Sequence, residues 1–176
     1  MKMLSMLLLL PAFAAAEECL PLDTGQSEIR FEILQDDLPF SGNFTRFGGE
    51  VCFDHGAMSR IDAWMEPASV DTGLPELDAA LADEAFFHAS RFPRARFTSD
   101  SVTDTSGEHV AKGTLILKGT SRRQEIAFRL SKEGSGYRAN GSLRIKRLDF
   151  NLGTGEWADT DLLGNEVIVH FDVGTR

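Results

Sequence analysis

The sequence is nearly without polar aromatics. It holds 1 Tyr and 2 Trp against 13 Phe, so most of its aromatic surface carries no group that can hydrogen-bond. Cysteine is as scarce: 2 residues are too few for a disulfide scaffold or a four-cysteine zinc site. Positive charge is in deficit, with 18 Lys and Arg against 27 Asp and Glu and a net of −9. That balance excludes wrapping nucleic acid or binding an anionic membrane surface, both of which need a basic patch. There is no nucleophile elbow, phosphate-binding loop or dinucleotide fingerprint, and Ser135 in Gly134-Ser135-Gly136 is a hairpin-turn residue. His55, His88, His109 and His170 have no metal-pair spacing and read as surface or edge residues. The acids at Asp36-Asp37 and Asp83-Glu84 read as solvated loop and helix-end positions. No nucleophile–base pair is visible for a lipid hydrolase, so the reading is of a protein that is not an enzyme and needs no cofactor or metal.

Long apolar runs are missing too, except near the start. Residues 1–16 read as a secretory signal peptide: Lys2, the apolar run Met3 to Leu10, then Pro11 and small residues ending at Ala16. The run is too short to span a bilayer, which takes about 20 residues. Glu17-Glu18 directly before Cys19 argue against lipid attachment, so no stable membrane anchor is expected. Cleavage would remove Lys2 and no acid, leaving the rest of the chain one unit more negative than −9. The expected location is the periplasm or the exterior, where Cys19 and Cys52 are expected to pair.

What is present is alternation. Ile29, Phe31 and Ile33 alternate with polar residues, as do Val51 and Phe53 after an expected Gly48-Gly49 turn. Ile61, Ala63 and Met65 share a face that leaves Trp64 outside. Further strands run through Ala95 and Phe97, Leu115 and Leu117 with Gly113, and Ile126, Phe128 and Leu130. Tyr137 to Ile145 and Val167 to Val173 complete the set. One short amphipathic helix, Pro75 to Ala85, interrupts them: proline suits its first turn, Glu76 and Asp78 suit its positive end, and Leu77, Leu81 and Ala85 form an apolar edge. About eight strands joined mostly by short turns indicate an all-β, antiparallel barrel or sandwich in a single domain over 17–176. Arg122-Arg123 and Arg144, Lys146 and Arg147 read as local basic spots that pair charges on outer faces, with contact to an anionic head group as the alternative.

Four stretches together resemble the YceI-like family of secreted bacterial proteins. They are Ala68-Ser69-Val70-Asp71-Thr72-Gly73; Leu81-Ala82-Asp83-Glu84-Ala85-Phe86-Phe87 running on to Arg91-Phe92-Pro93; Gly113 to Thr120; and Arg147-Leu148-Asp149-Phe150-Asn151-Leu152-Gly153. The resemblance implies a lipocalin-like barrel with the helix near its mouth, and a carrier of long-chain apolar molecules such as polyisoprenoids or isoprenoid quinones. The acidic stretch Leu34-Gln35-Asp36-Asp37 departs from the basic or His-containing stretch of many members, which bears on head-group preference. The ligand would be held in the barrel interior. The strand faces supply Phe31, Ile33, Val51, Phe53, Ile61, Met65 and Phe97 to its lining, then Leu115, Leu117, Ile126, Phe128, Leu143, Val169 and Phe171. Leu81, Phe86, Phe87 and Phe92 would line it around the helix. Inward Ala63, Gly113, Ala139 and Gly141 would leave it room. The competing reading is a packed, ligand-free barrel acting as an envelope interaction module, with an exposed barrel edge available for a homodimer.

Overall fold

The computed structural model describes residues 17–176. The signal-peptide reading of 1–16 lies outside them. Strand β1 (Glu18–Gln35) is long enough to serve two neighbours on one side. Its start pairs with β3 (Phe47–Asp54), and its end pairs with β2 (Leu38–Phe44). Strand β4 (Ala57–Met65) follows β3 across a tight turn, and the two-residue β5 (Val70–Asp71) pairs with β2. After helix α1 (Pro75–Ala82) come β6 (Ala95–Thr105), β7 (Glu108–Leu117), β8 (Thr120–Glu133), β9 (Gly136–Lys146) and β10 (Leu163–Thr175). All pairings are antiparallel. The sheet runs β10-β9-β8-β7-β6-β4-β3-β1, and a β10–β1 ladder closes it into an eight-stranded barrel; β2 and β5 form a flap beside β1. Closure pairs both edges of the eight-stranded barrel, and the open sheet edge that remains lies on the β2–β5 flap.

Alternation decides which residues face inward. Val167, Val169, Phe171 and Val173 of β10 pack into the main core with Phe97, Ile126, Phe128, Leu143 and Ile145. Phe31 and Ile33 of β1 form a second cluster with Phe44, Val70 and Leu163 near one end. We call that end the mouth, because α1 and the connection from β9 to β10 lie there. Trp64 faces out, as expected, with the Arg94 guanidinium 4.2 Å from its ring centre.

Three expectations are corrected. Gly48-Gly49 is not a turn: both residues lie inside β3, and the break from β2 falls at Thr45-Arg46. A Cβ on Gly49, which has φ +146°, would stand 2.1 Å from the Asp62 carbonyl oxygen, so glycine is required by close approach of β4. The helix stops at Ala82, because Asp83 is already extended. His109 is not a surface residue: its ring stacks on Phe128 at 5.3 Å, and its Nδ1 is buried without a partner.

Cys19 and Cys52 are direct cross-strand partners in the β1–β3 ladder and are joined by a disulfide. Cys52 is fully buried although it points away from the barrel interior, because Arg60 covers it while pairing with Glu50 at 3.0 Å. The bridge ties the start of β1 to β3 across 33 positions of sequence. Replacing both cysteines by serine should lower unfolding stability by about 3–4 kcal/mol in urea titrations, by the chain-entropy estimate for a loop of this length. Alkylation without reductant should label neither cysteine; labelling of either would contradict the bridge.

Candidate functional site: an apolar interior in two chambers

The interior is not completely filled. An outer cavity of about 140 Å³ lies at the mouth and an inner one of about 160 Å³ lies deeper. Phe31 and Ile33 of β1, Met65 of β4, Leu117 of β7 and Val169 of β10 line the outer cavity, together with Leu81, Phe86 and Phe87 from α1 and the turn after it. Val51, Ile61, Phe97, Ile126, Phe128, Leu143 and Phe171 line the inner one, and Val169 belongs to both walls. Fifteen of the eighteen residues expected from alternation and family resemblance therefore meet at these two cavities.

Three do not. Phe53 stacks on Tyr137, with ring centres 4.4 Å apart, at the end of the barrel away from the mouth. Phe92 packs edge-on to His88 and against Gly119, outside both cavities. Leu115 packs into the core between Ala111, on the inner wall, and Leu117, on the outer wall.

The small inward residues divide as well. Ala63 and Ala139 do line the inner cavity. Gly113 and Gly141 leave no free room. A Cβ on Gly113 would stand 2.2 Å from the Thr98 carbonyl oxygen and 2.8 Å from the Phe97 ring, and one on Gly141 would stand 2.8 Å from the Phe171 ring. Those glycines let neighbouring backbone and phenyl rings close in.

The mouth is built from segments without strand periodicity, and one arginine holds them. Arg147 follows the end of β9 and is 2% exposed, so the reading of an outer-face basic spot is corrected. Its parity matches that of inward Leu143 and Ile145. All five guanidinium N–H groups donate to backbone carbonyls. Nε reaches Gly164 at 2.8 Å; one terminal nitrogen reaches Leu152 and Gly153, each at 2.9 Å; the other reaches Trp157 at 2.7 Å and Leu163 at 2.6 Å. None of these partners is a carboxylate, and burial pushes the arginine's pKa down from its ordinary value. The group still remains charged at any physiological pH.

This clasp shapes 147–164 into a loop that presents Leu152, Trp157 and Leu163 to the outer cavity. The loop is then tied to the turn after α1. The Gly153 and Thr154 N–H groups donate to the Ala85 carbonyl at 2.8 and 3.1 Å. Lys118 Nζ donates to Glu84 and Asn151 carbonyls, both at 2.7 Å. Burial lowers the Lys118 pKa, partly offset by the nearby Glu84 carboxylate.

The cavity walls are almost wholly apolar. Gln35 and Arg147 are the polar side chains on the outer wall, and Arg147 has no donor left over. Outside, the mouth is acidic. Asp36 and Asp37 sit at the β1–β2 tip, Glu76 lies in the first turn of α1 and Asp83 at its end, and Glu156, Asp159 and Asp161 lie on the loop held by Arg147. None of these exposed acids belongs to an ion pair among the described residues. The ion pairs run along the barrel wall instead, as in Arg96–Asp62, Arg123–Asp100 and Arg144–Glu166. The acidic tip expected at 34–37 is thus part of a wider negative rim. Sequence reasoning missed Phe40, Phe44, Leu152, Trp157 and Leu163 on the outer wall. Phe40 and Phe44 carried a period-two signal; Leu152 and Trp157 carried none.

A closed antiparallel barrel with an apolar interior and a covered mouth defines a lipocalin-like barrel protein. The chain belongs to the YceI-like family, whose model matches residues 21–175. It is 30% identical over 123 residues to UPF0312 protein YE1254 of Yersinia enterocolitica, covering 64% of this chain and 63% of that protein. The chain therefore spans less than two thirds of that relative's length. It is 29% identical to UPF0312 protein plu2095 of Photorhabdus laumondii, covering 69% of each. The structure superposes on that of BcnA from Burkholderia cenocepacia with a TM-score of 0.84 at 27% identity, covering 88% of this chain and 99% of BcnA. A polyisoprenoid binding domain from Saccharophagus degradans has the same fold, with a TM-score of 0.74 at 17% identity over 89% of this chain and 97% of that domain.

Replacing Arg147 with methionine would strand five carbonyls, three in buried and two in half-buried hydrogen bonds, and each buried one costs about 1–3 kcal/mol when left unpaired. The expected result is a stability loss of at least about 3 kcal/mol by urea titration. Arg147→Lys should fall in between, because three donors replace five. Unchanged stability in both variants would contradict the clasp.

Proposed function

We propose that the protein is a binding or carrier protein for a long-chain apolar ligand of the polyisoprenoid or isoprenoid-quinone type, working in the periplasm or outside the cell. The observation that carries this reading is the pair of apolar cavities in line along the barrel axis, the outer one bordered at the mouth by the half-buried Phe40 and Trp157 and the exposed Ala80. An apolar cavity of about 150 Å³ holds a benzene-sized guest. Each chamber therefore suits about one five-carbon unit as it stands, and a slim chain would enter through the mouth end first. Burial of apolar chain supplies affinity at about 0.8 kcal/mol per CH₂-sized group, before the costs of ordering.

Three further features support the reading. The Saccharophagus relative in fold is described as polyisoprenoid binding. The Cys19–Cys52 disulfide suits an oxidising compartment. No helix among the described residues is long and apolar enough to cross a membrane. The head group would remain at a rim of unpaired carboxylates, with no free cation on the outer wall to meet an anion. That favours an alcohol or quinone over a carboxylate. The alternative of head-group contact by the basic spots loses Arg147, whose donors are all in use.

The chain has 2 tryptophans, and only Trp157 borders the cavity. In a Trp64→Phe variant, adding a prenol should shift the emission of Trp157 to shorter wavelength, and adding a quinone should quench it. Emission that ignores every apolar ligand, together with a native mass free of adducts for protein isolated from membranes, would refute the carrier reading. At neutral pH a prenol should bind at least about tenfold more tightly than a fatty acid of equal chain length, the equivalent of about 1.4 kcal/mol. The difference should shrink below the fatty acid's own pKa, where the carboxyl group becomes neutral. Equal affinity at neutral pH would show that the acidic rim does not choose the head group.

A further inference from the structure

Resting on the reading of an apolar-chain carrier, we infer that Val169 is the residue that sets how long a chain the barrel accepts. The interior changes from outer to inner chamber between neighbouring inward residues on four strands, and on β7 across the stretch from Leu117 to Ala111. On β10, Val167 faces the outer chamber and Phe171 the inner one, with Val169 on both walls. On β1 the change falls between Phe31 and Ile29, on β4 between Met65 and Ala63, and on β9 between Ile145 and Leu143. Val169 is the one side chain common to the two chambers. Its Cα partners are Phe31 on one side and Leu143 on the other, so it is wedged between an outer-wall and an inner-wall residue.

The chemistry of the residue fits a fixed constriction. Valine branches at Cβ and is stiff about χ1, so it cannot swing aside as Leu or Met can. It sits in the middle of a strand bonded on both sides, to β1 and β9, so its backbone is held as well. A chain that fills the outer chamber gains more buried surface only by passing this side chain into the inner one. The inner chamber is widened by Ala63 and Ala139, which stand where larger side chains would close it. Chain length, rather than head-group chemistry, is what the constriction reads.

The test is a series of prenols that run from one isoprene unit to three: 3-methylbut-2-en-1-ol, geraniol and farnesol. Dissociation constants are read from Trp157 emission in a Trp64→Phe background. With Val169 in place, affinity should rise by at least about tenfold from the one-unit alcohol to geraniol, as the second unit enters the inner chamber, and should level off at farnesol. In Val169→Phe the rise should vanish, with the three prenols binding within about threefold of one another. Val169→Ile, a smaller enlargement of the same β-branched side chain, should cut the rise in part and decides the matter if Val169→Phe does not fold; Ala139→Leu, which fills the inner chamber from another wall, should flatten the series whatever stands at 169. A folded Val169→Phe protein that keeps the full rise overturns the assignment. If the parent protein binds none of the three prenols, the carrier reading itself falls, which is a different outcome from binding with an unaltered length profile.

Discussion

The architecture of the mouth depends on one buried cation with no anion. A guanidinium removed from water is tolerated when each N–H has a partner, and Arg147 finds five in the carbonyls of a single excursion of chain. A carboxylate partner would accept from two of the donors side by side and would leave the loop carbonyls they now meet without a donor. By using carbonyls, the arginine fixes the path of 152–164 without help from regular secondary structure. Those residues then form the outer wall, so the cavity at the mouth is a consequence of the clasp. Lys118 extends the arrangement on the neighbouring side by bridging carbonyls of Glu84 and Asn151. Both cations are spent on backbone, which leaves the rim to its unpaired carboxylates.

Beneath the mouth, closure sets the second constraint. An eight-stranded barrel is just wide enough to be filled by its own side chains or to hold one slim guest. The phenylalanines settle much of the difference locally. The rings of Phe97 and Phe171 lie over Gly113 and Gly141, where those glycines let the wall and the rings approach. Space persists where alanine stands instead, at Ala63 and Ala139. The scarcity of tyrosine has a matching physical sense: a hydroxyl facing either chamber would need a partner that the apolar walls do not supply. The single Tyr137 stacks on Phe53 away from the mouth, outside both cavities.

The strands were legible because each has one buried face. Ile29 to Ile33 alternates without interruption, and Val167 to Val173 does so but for Ile168 on the outer face, which is why most of the lining could be named from sequence. Two of the failures share a cause, a residue type read ahead of its position. Gly48-Gly49 resembles a turn by composition, whereas Gly49 answers to a carbonyl on the next strand. Arg147 has the inward parity of Leu143 and Ile145, yet its charge argued for the surface. Trp157 and Leu152 lie in short turns of helix and irregular chain, where no period marks the buried side. Their position follows from the arginine's hydrogen bonds, a long-range fact that spacing does not carry.

The central claim is that a slim apolar molecule enters the barrel between α1 and the loop held by Arg147, and lies along the line of the two chambers. Methyl-resolved NMR during a farnesol titration tests it most directly. The account predicts shifts at interior methyl groups, those of Ile33, Leu81, Leu117, Val167 and Val169, with Ile116 and Ile168 on the outer faces unmoved. Shifts confined to the outer-face methyls, or none at saturating farnesol, would contradict it.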